Sequence, residues 1–270
     1  MDPIHDREAR FHDEWASATR LEDVQIRAAF ESITAQENRF ILDLLAPLAH
    51  KRILDVGCGL GESALYLAMQ GADVTALDIS SQMIELCLQN AVRLGVRISG
   101  VVSTAERFEV EPSSFDVVHA ANLVHHLQDR PGFYANVHRA LKPGGTFVAW
   151  DPLAYNPAIT VYRRLATRVR TVDERPLYFD EFKSSRRYFP DLRHREFWLL
   201  TLLLFVKYFA WDRLDPNRVR YWKRILLESR ETIGWWFLPL QKLDSLLLRL
   251  PFVGRLAWNT VQWGTKPDRQ

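Results

Sequence analysis

The chain has 270 residues, 47% hydrophobic and 25% charged, which suffices for one large buried core with an appendage and excludes a disordered chain. Its two cysteines, Cys58 and Cys87, form no CxxC pair and exclude a disulfide framework, so a reduced, cytoplasmic protein is expected. The net charge of +2 hides a division. Residues 1–150 hold 13 basic and 20 acidic side chains, residues 151–270 hold 22 and 13, and seven of the nine tryptophans lie in the second part.

Residues 1–6 are acidic and lack the apolar run of a signal peptide. Residues 7–18, with Phe11, Trp15 and Ala16 among charges, read as a short amphipathic helix. Residues 21–45 carry Val24, Ile26, Phe30, Ile33, Phe40, Ile41, Leu44 and Leu45 mostly at helical spacing, and Pro47 closes the run. This N-terminal unit, residues 1–50, either lids a site or packs on a sheet flank. Strands follow at 51–56, 73–77, 96–102, 115–121 and 146–150, separated by helices at 63–70, 81–94 and 131–141. Ser80 or Ser81 is the expected N-cap of the second of these helices and Gly95 its end. Alternation at this spacing predicts a parallel, doubly wound α/β sheet.

After Trp150 the rhythm changes. Residues 156–170 and 180–189 read as helices, the outer part of 194–205 as a sixth strand, 215–251 as two helices and 257–264 as a closing strand. The expected architecture is therefore a seven-stranded α/β sheet with N-terminal helices and an α-helical insertion before the last strand. Its divisions are 1–50, a nucleotide-binding core at 51–151, and a basic, Trp-rich part at 152–270 that also completes the sheet.

The first strand ends in Asp55-Val56-Gly57-Cys58-Gly59-Leu60-Gly61-Glu62. A strand, a tight glycine turn and a helix open a nucleotide-binding βαβ unit, in which a ligand lies against bare backbone and a helix N-terminus. Asp78, ending the second strand, can accept hydrogen bonds from ribose hydroxyls. A dinucleotide fingerprint wants G-x-G-x-x-G, whereas these glycines fall at every second position, which disfavours a nicotinamide oxidoreductase.

Asp-x-Gly-x-Gly-x-Gly, the acid-ended second strand and Ser80-Ser81-Gln82-Met83 together resemble the class I S-adenosylmethionine-dependent methyltransferases, especially their ubiquinone and menaquinone branch. The resemblance covers about residues 11–151. It implies S-adenosyl-L-methionine as cofactor, with Asp55 and the backbone of Gly57 and Gly59 at the methionine end, Gly61 completing the turn, and Asp78 on the ribose. It places Ile79 and Met83 beside the adenine, Ala105 and Glu106 near its amino group, and Ala121 and Asn122 on the sulfonium side. Thr104 stands where the family often has an acid.

Methyl transfer needs positioning first, and a base only where the acceptor holds a proton. His125, His126, Asp151 and Tyr155 are candidates; His126, which matches a histidine of the small-molecule members, and Asp151 are the two chosen. Cys58 reads as packing, and no metal is expected because no further His or Cys stands at ligand spacing. The tryptophans interleaved with Arg213, Arg218, Arg220, Lys223, Arg224 and Arg249 suit an anionic membrane surface. They suit equally the core of a cap or a homodimer face. The expected partner is a small hydrophobic or lipid-like acceptor; the alternative is a polar small molecule in a soluble enzyme. A nucleic-acid substrate is disfavoured, because Ala121-Asn122-Leu123-Val124 lacks the Asn/Asp-Pro-Pro-aromatic motif of base-methylating relatives.

Overall fold

Alternate side chains of the central strands feed two separate cores. Ile53, Val117 and Val148 belong to one buried cluster and Leu54, Val118 and Phe147 to the other, as strands covered on both faces require. The computed structural model describes residues 3–171 and 173–268; of the acidic opening stretch, residues 1 and 2 lie outside them.

The elements are, in chain order, α1 (Pro3–Ser17), α2 (Ala28–Glu31), α3 (Gln36–Leu45), β1 (Arg52–Val56), α4 (Glu62–Met69), β2 (Asp73–Asp78), α5 (Ser81–Leu94), β3 (Ile98–Val102), β4 (Phe115–Ala121), α6 (Arg130–Ala140) and β5 (Leu141–Pro152). The second half supplies α7 (Pro157–Leu165), α8 (Phe182–Arg186), β6 (Arg193–Phe197), α9 (Leu203–Val206), α10 (Tyr221–Arg224), α11 (Arg230–Leu247) and β7 (Asn259–Thr265). The sheet has seven strands in the order β3-β2-β1-β4-β5-β7-β6. The first five run parallel, and β7 lies antiparallel between β5 and β6. Chain direction across the sheet reverses between β1 and β4, the switch point where open α/β sheets form a crevice.

Local signals set most boundaries. Ser80 is the cap of α5, its hydroxyl accepting from Met83 N at 3.0 Å, and Gly95 ends that helix at φ 68°. The expected helix over 21–45 is instead a 3-10 turn followed by two short helices. Ser32 Oγ accepts from Thr34 N and Thr34 Oγ1 donates to Ile225 O at 2.7 Å, so hydroxyls divert the backbone where helical spacing alone would continue it. β5 begins earlier than expected: Phe115 pairs with Leu141 and Val117 with Thr146, which loops residues 142–145 out of the ladder.

The insertion between β6 and β7 is helical and is tied down by one side chain. Asp244 of α11, 2% exposed, accepts from Leu199 N, Leu200 N, Thr201 N and Thr201 Oγ1 at 2.6–3.1 Å. A carboxylate on one helix thereby caps the N-terminal turn of another segment. Among the described residues no helix is long and apolar enough to cross a membrane.

Candidate active site

The end of β2 holds the glycine turn open. Leu77 O accepts from both Gly57 N (2.7 Å) and Cys58 N (3.0 Å), and Asp78 Oδ2 accepts from Gly59 N at 2.8 Å. Gly61, at φ 88°, is packed so closely that a Cβ there would lie 2.4 Å from Cys87 Sγ. Gly59 differs: at φ 53°, a Cβ would meet nothing within 4 Å, because that side of the turn faces a cavity of about 250 Å³ at the carboxyl ends of β1, β2 and β4.

Asp55, Gly57, Gly59, Asp78, Ile79, Ala105, Glu106, Ala121, Asn122 and His126 all line this one cavity. Asp55 is 1% exposed; its Oδ1 accepts from His119 Nδ1 at 2.7 Å, while its buried Oδ2 has no partner among the described residues. An orphaned carboxylate oxygen beside open backbone asks for a donor from a ligand. Asp78 takes Gly59 N on one oxygen and Ser80 N on the other (2.9 Å). Burial pushes its carboxyl up, opposed by the nearby His12 and these backbone donors. Asn122 adopts φ 55° with its N–H on Trp150 O at 2.7 Å, which leaves its exposed side chain on the cavity. Cys58 also faces the cavity, but its contact with Cys87 and its burial raise the thiol far above the usual range, so it packs and does not attack.

Three expected site residues stand elsewhere. Gly61 packs against α5, and Met83 is fully buried behind Ser80. Asp151, expected as a base, is 0% exposed and lies beneath the loop after β4. Its Oδ1 accepts from His125 N at 3.1 Å and lies 2.9 Å from His125 Nδ1. Burial pushes the Asp151 carboxyl up to about 8 against the pull of the His125 N–H and Arg130, and burial drives His125 well below the ordinary imidazole range. Asp151 is therefore a positioning residue: it fixes the turn that delivers Asn122 and His126.

The other wall was not foreseen residue by residue. His5, Glu8, Phe11, His12 and Trp15 of α1 line the cavity at three- and four-residue spacing, one face of a helix. Glu8 Oε2 lies 3.5 Å from His126 Nδ1 and 3.6 Å from His12 Nε2. Burial opposes ionisation of Glu8, yet its bonds with His12 and His126 hold the carboxyl far below the usual range, so it stays ionised and orients both rings. Asp13 of the same helix accepts from Ser80 Oγ at 2.5 Å. On α3, Glu37 is 6% exposed, lines the cavity and accepts from Asn259 Nδ2 at 2.5 Å; burial raises its carboxyl. The signal for Glu37 was present, since it interrupts the apolar stripe Ile33, Ile41 and Leu45 at helical spacing.

His125, His126 and Glu174 bring three ligand-capable atoms within 4.8 Å of one another. Asp151 already engages His125, Arg170 pairs with Glu174, and positive charge from Arg163 and Arg170 bears on His125, an arrangement hostile to a cation.

Fold and site thus define a Rossmann-like α/β domain with a cavity above the glycine turn at the switch point. Residues 54–149, about a third of the chain, match the family described as a methyltransferase domain. The chain is similar to phosphoethanolamine N-methyltransferase 3 of Arabidopsis thaliana, at 30% identity over 126 residues, which is 45% of this chain and 26% of that protein. It is similar also to the ubiquinone biosynthesis O-methyltransferase of Vibrio cholerae, at 34% identity over 107 residues, 39% of this chain and 44% of that one. Less than half of either relative's length is matched. Among solved structures, phosphoethanolamine N-methyltransferase 2 of Haemonchus contortus, in complex with phosphomonomethylethanolamine and S-adenosylhomocysteine, superposes with TM-score 0.57 at 20% identity over 87% of this chain and 53% of that one. That likeness is one of fold.

The buried Asp151 gives a pH signature. Its native carboxyl keeps a proton up to about pH 8, whereas the unfolded one releases it near 3.8, so wild-type stability falls as pH rises between these values. Asp151→Asn removes that loss: relative to wild type it should gain up to about 1.4 kcal/mol per pH unit across this window. Urea unfolding at several pH values measures the difference, and a pH-independent difference would assign Asp151 an ordinary carboxylate.

Proposed function

We propose that this chain transfers a methyl group from S-adenosyl-L-methionine to a small hydrophobic or lipid-like acceptor at the inner surface of a membrane. The observation that carries the reading is the single cavity on which the glycine turn, Asp55, Asp78 and His126 all open. The donor set fits the cofactor. The unpartnered Asp55 Oδ2 suits an ammonium, the open backbone at Gly59 suits close approach, and the Asp78 oxygens, each with a lone pair left, suit the ribose hydroxyls. Ile79 and Ala105 give an apolar slot for a base, with Glu106 at its edge, held by Gln128 N (3.2 Å) and near His5 Nε2 (3.3 Å).

When bound, the cofactor supplies a methyl already activated by its sulfonium. The chain's task is to hold the acceptor in line and keep water out, which can supply about 7–11 kcal/mol at best. His126, oriented by ionised Glu8, is placed to take a proton from an acceptor hydroxyl or amine. The acceptor's side of the cavity is built from Trp15, Trp222, Leu226 and Trp258, with Glu37 and Asn259 as its polar spots; that lining suits a greasy molecule carrying one polar group.

The membrane reading is supported by the outward face of the insertion. Leu203, Val206, Phe209 and Trp211 are 52–84% exposed, and Trp235, Leu246, Leu250 and Phe252 are 52–80% exposed. The two sets lie on segments joined through Asp244. Arg213, Arg218, Arg230, Lys242, Arg249 and Arg255 of the same insertion are exposed, with Arg255 over the Phe252 ring. Exposed apolar side chains together with cations match the charge and polarity of an anionic bilayer surface. The other tryptophans of this half turn inward: Trp198 is core, and Trp222 and Trp258 face the cavity. Arg220 and Lys223 also turn inward, onto Trp15 and Glu62.

Calorimetry should give saturable binding of S-adenosylmethionine and no heat with a nicotinamide dinucleotide. Asp78→Ala should weaken the former about ten- to a hundredfold; unchanged affinity would remove the ribose role. With methyl-labelled cofactor and a lipid extract as acceptor source, His126→Ala should lower kcat by about 10²–10⁴ while leaving cofactor affinity intact, and an unaltered kcat would remove the base. In flotation with phosphatidylserine-containing vesicles the wild type should rise with the lipid. The triple variant Trp211→Ser, Trp235→Ser, Phe252→Ser should stay in the dense fraction, and equal flotation of the two would dismiss this face as the membrane contact.

A further inference from the structure

Where α3 and β7 border the cavity, the protein offers hydrogen-bond acceptors and keeps its donors to itself. Glu37, on the first turn of α3, and Asn259, the first residue of β7, both line the cavity and are 6% and 3% exposed. Asn259 Nδ2 donates to Glu37 Oε1 at 2.5 Å, and the remaining Asn259 Oδ1 is buried without a partner among the described residues. Asn38, next along α3 and also on the cavity, repeats the pattern. Its Nδ2 donates to Ala29 O at 2.7 Å, and its buried Oδ1 has no partner among the described residues. A carboxylate and a carbonyl can only accept, so both amides are held with their oxygens left over. Thr34, on the same wall, spends its hydroxyl hydrogen on Ile225 O. No cation offsets Glu37: the groups that oppose its burial are Asn259, Trp198 and its own backbone, and burial wins, raising the carboxyl.

We infer that Glu37, Asn38 and Asn259 form a subsite for a protonated primary amine carried by the methyl acceptor. An ammonium brings three donors and no acceptor, which answers the orphaned oxygens, and its charge offsets the buried carboxylate. Trp222 and Trp258 line the same cavity, and indole rings attract a cation. A hydroxyl would supply one donor and leave the carboxylate uncompensated, and an anion would meet acceptors only. This subsite is separate from the place of the cofactor's own ammonium at Asp55. β7 stands three strands from β1 in the sheet, about 14 Å away at the usual strand spacing. Calling the amine part of the acceptor rests on the methyl-transfer reading; the amine site rests on these side chains alone.

The test is calorimetric titration of the full chain with n-hexylammonium, 1-hexanol and hexanoate, which share a tail and differ in head group. Wild type should bind hexylammonium at least about tenfold more tightly than hexanol, and hexanoate should give no saturable heat. Glu37→Gln keeps the shape and the bond from Asn259 but removes the charge, and should erase the preference for the amine. Asn259→Ser should weaken amine binding and carries the comparison if Glu37→Gln does not fold. Hexanol or hexanoate binding as tightly as the amine, no binding of the amine, or an amine affinity unchanged in the variants overturns the proposal. S-adenosylmethionine titrated into the same samples keeps the two readings apart. Its affinity should be the same in Glu37→Gln as in wild type, and a loss there would assign Glu37 to the cofactor and overturn the separate subsite. Failure of the cofactor to bind wild type would remove methyl transfer and leave the amine result in force.

Discussion

Everything at the site depends on how the end of β2 grips the turn after β1. One carbonyl, Leu77 O, takes two successive N–H groups, and the next residue's carboxylate takes a third. Those bonds keep the backbone at residues 57–59 folded away from its own donors and facing outward. The same carboxylate also accepts from Ser80 N, so Asp78 braces the turn and the start of α5 together. The cost is a carboxylate almost wholly buried, accepted because the surrounding N–H groups satisfy part of it. The switch point between β1 and β4 then leaves room above this brace, and the loop after β4 closes the far side, pinned from below by Asp151 and stitched to residues 175–181 by Arg130.

What could be read from the chain alone was what short-range chemistry decides. The glycine spacing, the Ser80 cap and the Gly95 stop are local events, and the β1–α4–β2–α5 unit follows from them within a residue or two. Strands β6 and β7 were also legible, the former as the outer part of an apolar run. Asp151 shows where this ends. Its place at the carboxyl end of β5 marks it as a site residue by position, but whether it faces the crevice depends on parity along a strand whose start was misplaced, and on a 3-10 turn brought over it by β4. Glu37 is the converse case. It reads as one more charge on a helix until the stripe it interrupts is seen to be buried, at which point an acid among Ile41 and Leu45 requires a reason.

The second half shows composition without orientation. Tryptophan and arginine are concentrated there, and their side chains divide between inward and outward positions. Trp198 fills a core, Trp258 walls the cavity, and Trp211 and Trp235 face outward. Arg220 and Lys223, grouped by sequence with surface cations, point in; Arg218 and Arg249 point out. A helical insertion of this kind has two faces, and which side chain goes to which is set by one buried carboxylate, Asp244, that locks α11 onto residues 199–201.

The attachment of α1 has a consequence of its own. Of its fifteen residues only Glu8 and Ala16 are buried, and it is fastened to the sheet through polar contacts at Ser80, Glu106 and His126. None of the seven strands needs this helix to pair. Completion of the cavity therefore depends on polar contacts that strand pairing does not itself supply.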